Sequence, residues 1–218
     1  MLLKILFSLA PVAIILIVSE LLWRKEIVKG ERARKFIHIL AGSWIAFWPF
    51  YISFEAIGLL GLVALIVLLY SRIAHLFHGI YAVQRRTYGE LLFAAAIIVC
   101  AMLGQEPWIF TASILFLSLA DGIAAVVGRF WGITNQYLVF GMRALRKSRA
   151  GTAAYFVITY AILAVVWLIG GADVMRENIV TVFVIVPVIA TILENIGPYG
   201  TDNVLTPLFV TLIFNSLL

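Results

Sequence analysis

The chain has 218 residues, of which 64% are hydrophobic and only 12% are charged. A soluble domain is nearer to about half apolar and about a quarter charged, so this composition indicates an integral membrane protein. The single cysteine, Cys100, excludes a disulfide within the chain and a cluster of thiol metal ligands. Membrane topology explains the net charge of +5, so we expect no nucleic-acid partner.

Seven apolar segments reach or approach the roughly 20 residues that a helix needs to cross a bilayer. An eighth, Asn203–Leu218, would span roughly 24 Å at about 1.5 Å per residue, a little short of a hydrocarbon core. We therefore expect an all-α polytopic membrane protein in which residues 1–218 form one domain. In chain order the seven segments are Leu3–Trp23, Phe36–Phe54, Glu55–Ile73, Gly89–Gly104, Trp108–Phe130, Gly151–Gly170 and Asn178–Asn195.

The first segment is longer than the apolar core of a signal peptide, lacks an A-x-A site and is followed by a basic loop, so we interpret it as a retained helix. All the basic residues except Lys4 and Arg176 fall in three alternate loops: Arg24–Lys35, Arg72–Tyr88 and Arg129–Ala150. The positive-inside rule makes these loops cytoplasmic and places the N-terminus outside.

The fifth segment carries Asp121 deep in an apolar run, where an unpaired carboxylate costs several kcal/mol. On a helix, three small residues lie within about 60° of it: Ala125, Gly128 and Gly132. This strip is typical of close helix packing, and it would equally let phosphates or a base approach the backbone. Packing alone does not require the charge, so Asp121 is a candidate functional residue.

Two basic stretches lie on the same side of the membrane. In RKSRAG, Lys147 and Ser148 precede Gly151 at a helix start, which is typical of a basic anchor with a serine cap or of a phosphate site. In RARKFIH, Arg34 and His38 share a helix face beside Lys35, as in a membrane anchor or a phosphate-binding face.

Two further polar stretches lie on this side. RRTYGE contains Thr87 and Glu90 at the spacing of a capping box, and Arg85 and Arg86 are anchors or phosphate ligands.

ENIGPYGTDN breaks the seventh helix. Asp202 or Asn203 could cap the next helix, but Glu194 lies in a last turn, where its charge opposes the helix dipole. Asp121, Glu194 and Asp202 would then face one vestibule with several cations, which is what a Mg²⁺–triphosphate complex requires.

Four motifs lie in order from the second segment to the last. They consist of Arg34, Lys35 and His38; Asp121, Ala124, Gly128 and Gly132; Lys147, Ser148, Ala150 and Gly151; and Glu194, Asp202, Asn203 and Pro207. Together they resemble the CTP-dependent lipid-alcohol kinases: phytol, farnesol and dolichol kinases and the fungal-type diacylglycerol kinase. Ala150 is similar to the phytol and farnesol branch, because the others tend to have glutamate there.

The resemblance implies phosphoryl transfer from CTP to the hydroxyl of a membrane-embedded prenol: phytol, farnesol, geranylgeraniol or a longer polyprenol. Asp121, Asp202 and Lys147 would be catalytic, and Mg²⁺ would be held by Asp121 and Asp202 with Glu194 in support. The nucleotide contacts would come from Ala124, Gly128, Gly132, Lys147, Ser148, Gly151, Asn203, Arg34, Lys35 and His38. The site would face the cytoplasm, in a prokaryotic cell membrane.

Three alternatives stay open. A diacylglycerol kinase would use the same motifs with another acceptor alcohol. A phosphatidate cytidylyltransferase also uses CTP and Mg²⁺, but its C-terminal signature has a K-D run and paired aspartates, whereas this chain ends in LFVTLIFNSLL. A small transporter would need polar groups near mid-membrane and access to both faces.

Overall fold

The computed structural model describes residues 2–74, 76, 78–81, 87–104, 106–142, 145–171 and 178–218. Arg85 and Arg86, expected as anchors or phosphate ligands, lie outside these ranges. The described residues are mostly helical, as predicted, with one short two-stranded ladder. The helices are α1 (Leu2–Arg24), α2 (Glu31–Ile45), α3 (Phe54–Ile73), α4 (His78–Tyr81), α5 (Gly89–Leu103), α6 (Pro107–Trp131), α7 (Arg149–Gly170), α8 (Thr181–Ile196) and α9 (Asp202–Asn215); the strands are β1 (Gln136–Leu138) and β2 (Arg146–Ser148).

Each of the eight predicted apolar segments contains a helix, but the lengths differ from expectation. Among the described residues, four helices are long and apolar enough to cross a membrane: α1, α3, α6 and α7. Helices α5 and α8 are apolar but shorter, so the count of seven spans is not confirmed.

The second segment departs most from its predicted bounds. Helix α2 begins earlier, at Glu31, and ends at Ile45, and a single 3₁₀ turn at Trp48–Phe50 follows. Pro49 supplies a physical reason, because proline lacks the N–H that a continuing helix requires and its ring clashes with the preceding turn.

Helix α6 forms the centre of the bundle. Within its most apolar window 72% of the residues are buried, against 11% for α1 and 17% for α3. Its side chains Phe110, Ile114 and Phe116 are fully enclosed. The outer helices instead expose large apolar side chains, as expected of surfaces that contact lipid.

Two glycines let α2 lie directly against α6. A Cβ atom at Gly122 would lie 2.1 Å from Ile39 Cγ1, and one at Gly42 would lie 2.3 Å from Ser118 Cβ. Such distances are far below van der Waals contact, so only glycine permits this separation of the two helices. The close packing sets the N-terminal turns of α2 beside Asp121.

The loop after α6 contains structure that the sequence did not predict. Strands β1 and β2 pair antiparallel, with Gln136 opposite Ser148 and Tyr137 opposite Lys147. The ladder leads directly into α7, so it fixes the direction in which Lys147 and Ser148 approach the bundle.

Candidate active site

A cavity of about 940 Å³ lies at one end of the bundle, where the three predicted basic loops meet the α8–α9 connection. Most of the predicted site residues line it: Arg34, Lys35, Asp121, Ala124, Gly128, Lys147, Ser148, Gly151, Glu194, Asp202 and Asn203. Among the residues that the structure describes, six basic side chains (Lys29, Arg34, Lys35, Arg129, Arg146 and Lys147) and four acidic ones (Glu31, Asp121, Glu194 and Asp202) face it. The lining is therefore charged and carries an excess of positive charge.

Three carboxylates from three helices converge in this cavity. Asp121 lies within α6, Glu194 in the last turn of α8 and Asp202 at the first residue of α9, and one oxygen of each lies within 4.8 Å of the other two. Burial, together with the charge of Asp121, raises the pKa of Asp202 to about 6. A bound cation would relieve this repulsion, and Mg²⁺ accepts a few carboxylate oxygens alongside phosphate and water. The three residues thus fit a magnesium site.

Helix α6 is locally distorted directly before Asp121. Residues Phe116–Ala120 form a π-helical turn, and the Asp121 N–H bonds to the carbonyls of Phe116 and Ser118 instead of that of Leu117. The Leu117 carbonyl accepts from His38 Nε2 at 2.7 Å, and the same nitrogen lies 3.2 Å from Asp121 Oδ2. Because the carbonyl can only accept, Nε2 carries the proton. Distortions of this kind often occur at functional sites.

The residues of RARKFIH have separate partners. Lys35 forms an ion pair with Asp121, and both side chains are buried. Arg34 pairs with Glu31 and lines the cavity, whereas His38 lies behind Asp121 and is not among the lining residues. His38 contacts Asp121 and the Leu117 carbonyl, and its binding of the nucleotide stays a prediction.

Lys147 and Ser148 occupy the junction between β2 and α7. Ser148 Oγ accepts from the Gly151 N–H at 3.1 Å, which confirms the predicted serine cap. Lys147 Nζ donates to the Glu194 carbonyl oxygen at 2.8 Å and also to its carboxylate. Burial opposes the charge of Lys147, but attraction to Glu194 and Asp202 raises its pKa, so the lysine stays a cation.

The glycine strip of α6 faces mainly the start of α7. A Cβ atom at Gly132 would lie 2.3 Å from Ser148 Oγ, and one at Gly128 would lie 2.9 Å from the same atom. Gly128 also lines the cavity, whereas Gly132 does not. The contacts of Gly132 are therefore helix packing, and those of Gly128 combine packing with a wall of the cavity.

The α8–α9 connection is tied to the start of α5. Asn203 Nδ2 donates to the Gly89 carbonyl oxygen at 2.8 Å, and Thr87 Oγ1 accepts from the Gly89 N–H at 3.1 Å. The predicted capping box does not form, because Tyr88 takes the N-cap position of α5 and Glu90 pairs with Arg72 at 2.6 Å. Neither predicted candidate caps α9 through its side chain: the helix starts at Asp202, and Asn203 reaches across to Gly89.

Sequence reasoning missed two features of the site. It assigned Arg129 and Arg146 to membrane topology alone, although both line the cavity. It also missed a polar triad at the cavity edge, in which Tyr137 Oη donates to Asn195 Oδ1 at 2.6 Å and lies 2.5 Å from Thr152 Oγ1. The adjacency of Asn195 to Glu194 was the available signal for the triad.

The chain is 31% identical over 211 residues to a phytol kinase from Synechocystis sp.. The alignment covers 91% of this chain and 84% of the relative. The chain belongs to the phytol kinase family. No model of a protein family matches it, and no solved structure does. The alignment covers most of the chain. Most of the predicted site residues of this chain line one cavity.

Proposed function

We propose that this protein is a CTP-dependent kinase that transfers a phosphoryl group to the hydroxyl of a membrane-embedded prenol. The observation that carries the proposal is the convergence of three carboxylates and six basic side chains on one cavity, in a member of the phytol kinase family. The motif resemblance described above supports CTP as the donor.

The charges of the cavity suit a nucleoside triphosphate with its metal ion. Asp121 and Asp202 would hold Mg²⁺ with Glu194 in support, and the ion would neutralise charge on the transferring phosphoryl group. Lys147 and Arg34 would contact the phosphates, helped by Lys35. The dipole of α7 adds a partial positive charge on the same side, although the first three N–H groups of the helix already donate to Asn135 and Ser148.

The transfer itself requires positioning more than covalent chemistry by the protein. The prenol oxygen forms a bond to the γ-phosphorus, the bond from that phosphorus to the oxygen bridging to the β-phosphate breaks, and CDP leaves. The hydroxyl proton passes to a carboxylate of the cluster, and Asp121, which contacts Lys35 and His38, would either receive this proton or serve as a metal ligand. The products are prenyl phosphate and CDP.

The position of the cavity fits both substrates. It lies at the end of the bundle where the basic loops gather, which the positive-inside rule assigns to the cytoplasm, the source of the nucleotide. An acceptor whose tail stays in lipid would present its hydroxyl at this level of the membrane.

Purified protein in lipid nanodiscs, given γ-labelled CTP, Mg²⁺ and a panel of alcohols, tests the proposal. We expect label in prenyl phosphate only when a prenol is present, and loss of that label with EDTA. Labelling of diacylglycerol in preference to prenols would indicate the diacylglycerol kinase alternative. Release of pyrophosphate with phosphatidate would indicate a cytidylyltransferase, and no consumption of CTP with any acceptor would contradict an enzymatic role.

A further inference from the structure

A second concavity opens on the lipid-facing side of the bundle between α7 and α8. It measures about 620 Å³ and its surface is almost entirely apolar, in contrast to the charged cavity. Helix α7 supplies Ala153, Phe156 and Val157, which share one helix face because they are three and four residues apart. Helix α8 supplies Thr191. We call this surface the α7–α8 groove.

The groove adjoins the charged cavity. Thr152 lines both, and Tyr137 lies at the groove end. Thr152 Oγ1 donates to Asn195 Oδ1 at 3.2 Å, and Asn195 directly follows the carboxylate-bearing Glu194. The apolar groove therefore ends beside the polar group of Tyr137, Thr152 and Asn195, next to the charged cavity.

Helix α7 is one of the candidate membrane spans, and only 28% of its most apolar window is buried, so the groove opens towards lipid. Phe156 is 37% exposed and Val157 is 61% exposed. From Arg149 to Val157 the groove follows α7 for about 12 Å, at about 1.5 Å per residue. This length accommodates the part of a lipid tail next to its head group, while the remainder stays in the bilayer.

From this geometry we infer that the α7–α8 groove binds the acceptor alcohol, with its isoprenoid chain along Ala153, Phe156 and Val157 and its hydroxyl entering the cavity past Thr152. This inference rests on the proposed prenol kinase function. A hydrocarbon chain suits the apolar lining, and Thr152 and Tyr137 offer hydrogen-bonding partners for its hydroxyl at the end next to the cavity. The groove would therefore determine which part of the tail the enzyme recognises.

The test compares two variants with the same substitution on the same helix. Val157→Trp fills the groove, whereas Val165→Trp lies about two turns further along α7, is similarly exposed at 52%, and is not part of the groove. KM and kcat are measured for a C20 prenol, for a C5 prenol too short to reach Val157, and for the nucleotide.

We expect Val157→Trp to raise the KM for the C20 alcohol about tenfold and to leave the C5 alcohol and the nucleotide unchanged. Val165→Trp should match the wild type throughout. An unchanged KM for the C20 alcohol in a folded Val157→Trp protein overturns the inference. Failure of the wild type to phosphorylate any prenol would instead overturn the proposed function, so the two outcomes are distinguishable.

Photolabelling of the wild type with a diazirine-bearing C15 prenol avoids any dependence on the folding of a variant. We expect label on residues 152–157 and at Thr191, and competition by unlabelled prenol. Label confined to other segments, or groove label that unlabelled prenol does not displace, would show that the groove holds bulk lipid only and would overturn the inference.

Discussion

The first question about this site is whether Asp121 is functional or structural. A buried carboxylate with a purely structural role would also need an ion pair such as the one with Lys35. The side chains of Asp121 and Lys35 are only 12% and 8% exposed. Asp121→Asn keeps shape and hydrogen bonding but leaves the lysine without its counter-ion. Removing one partner of a buried pair costs about 3–5 kcal/mol of stability. We expect the lower end, since Glu194 and Asp202 remain within 4.8 Å of the carboxylate site.

The second variant in this test is Asp121→Asn combined with Lys35→Met, which removes both charges and replaces the lysine by an apolar chain of similar length. Replacing a buried ion pair in this way is often neutral or stabilising, so thermal stability in detergent should return to near the wild-type value. If Asp121 binds metal or accepts the proton, activity stays low: a loss of about 3–4 kcal/mol of transition-state stabilisation is roughly 10²–10³-fold in kcat.

The assay is transfer of label from γ-labelled CTP to a prenol at saturating Mg²⁺, beside a thermal unfolding measurement on the same preparations. Glu55→Gln is the control, because this exposed carboxylate lies in the first turn of α3, is not among the residues that line the cavity, and its loss should leave both readings unchanged. Recovery of near wild-type kcat together with stability in the double variant would refute the reasoning, since Asp121 would then serve only as the partner of Lys35.

Three further predictions follow from the geometry. Lys147→Ala should lower kcat/KM for the nucleotide at least 10²-fold with the fold intact, since a desolvated cation near a triphosphate is worth several kcal/mol, whereas near-normal turnover would leave the lysine as a topology anchor. Gly122→Ala should separate α2 from α6, because the added methyl would lie 2.1 Å from Ile39 Cγ1; a variant with wild-type melting temperature and activity would contradict the close packing. In an Asn135→Cys variant, a membrane-impermeant maleimide should label the new cysteine only after the cells are lysed. The native Cys100 is fully buried and should add little background labelling. Ready labelling of sealed cells would reverse the assigned topology.

Sequence patterns predicted the helices well and their ends less well. A long apolar run is sufficient to indicate a helix in a membrane protein, which is why α3 coincides with its predicted segment almost residue for residue. The end of α2 depended on Pro49, a local signal that the apolar count overlooked. Strands β1 and β2 are three residues each, too short for an alternating pattern to reveal them.

The members of the site were predictable, but their partners were not. Asp121, Glu194 and Asp202 stood out because each carboxylate lies in or beside an apolar segment, where a charge is unexpected. The pairing of Asp121 with Lys35 joins positions 86 residues apart and depends on the separation of α2 and α6, which no local pattern encodes. The π-helical turn before Asp121 likewise depends on His38 satisfying the Leu117 carbonyl from another helix.

The ion pairs of the cavity reduce the cost of burying its carboxylates. Two of the three carboxylates already have a lysine partner: Asp121 has Lys35 and Glu194 has Lys147. Under the proposed function, a metal ion arriving with the triphosphate would take over the carboxylates, and both lysines would turn to the phosphates that the same ligand brings. Asp121 and Glu194 then each have a counter-ion before and after binding, so neither carries the full cost of an isolated ion in the bundle. On this view Lys35 is the counter-ion of Asp121 until the substrate binds.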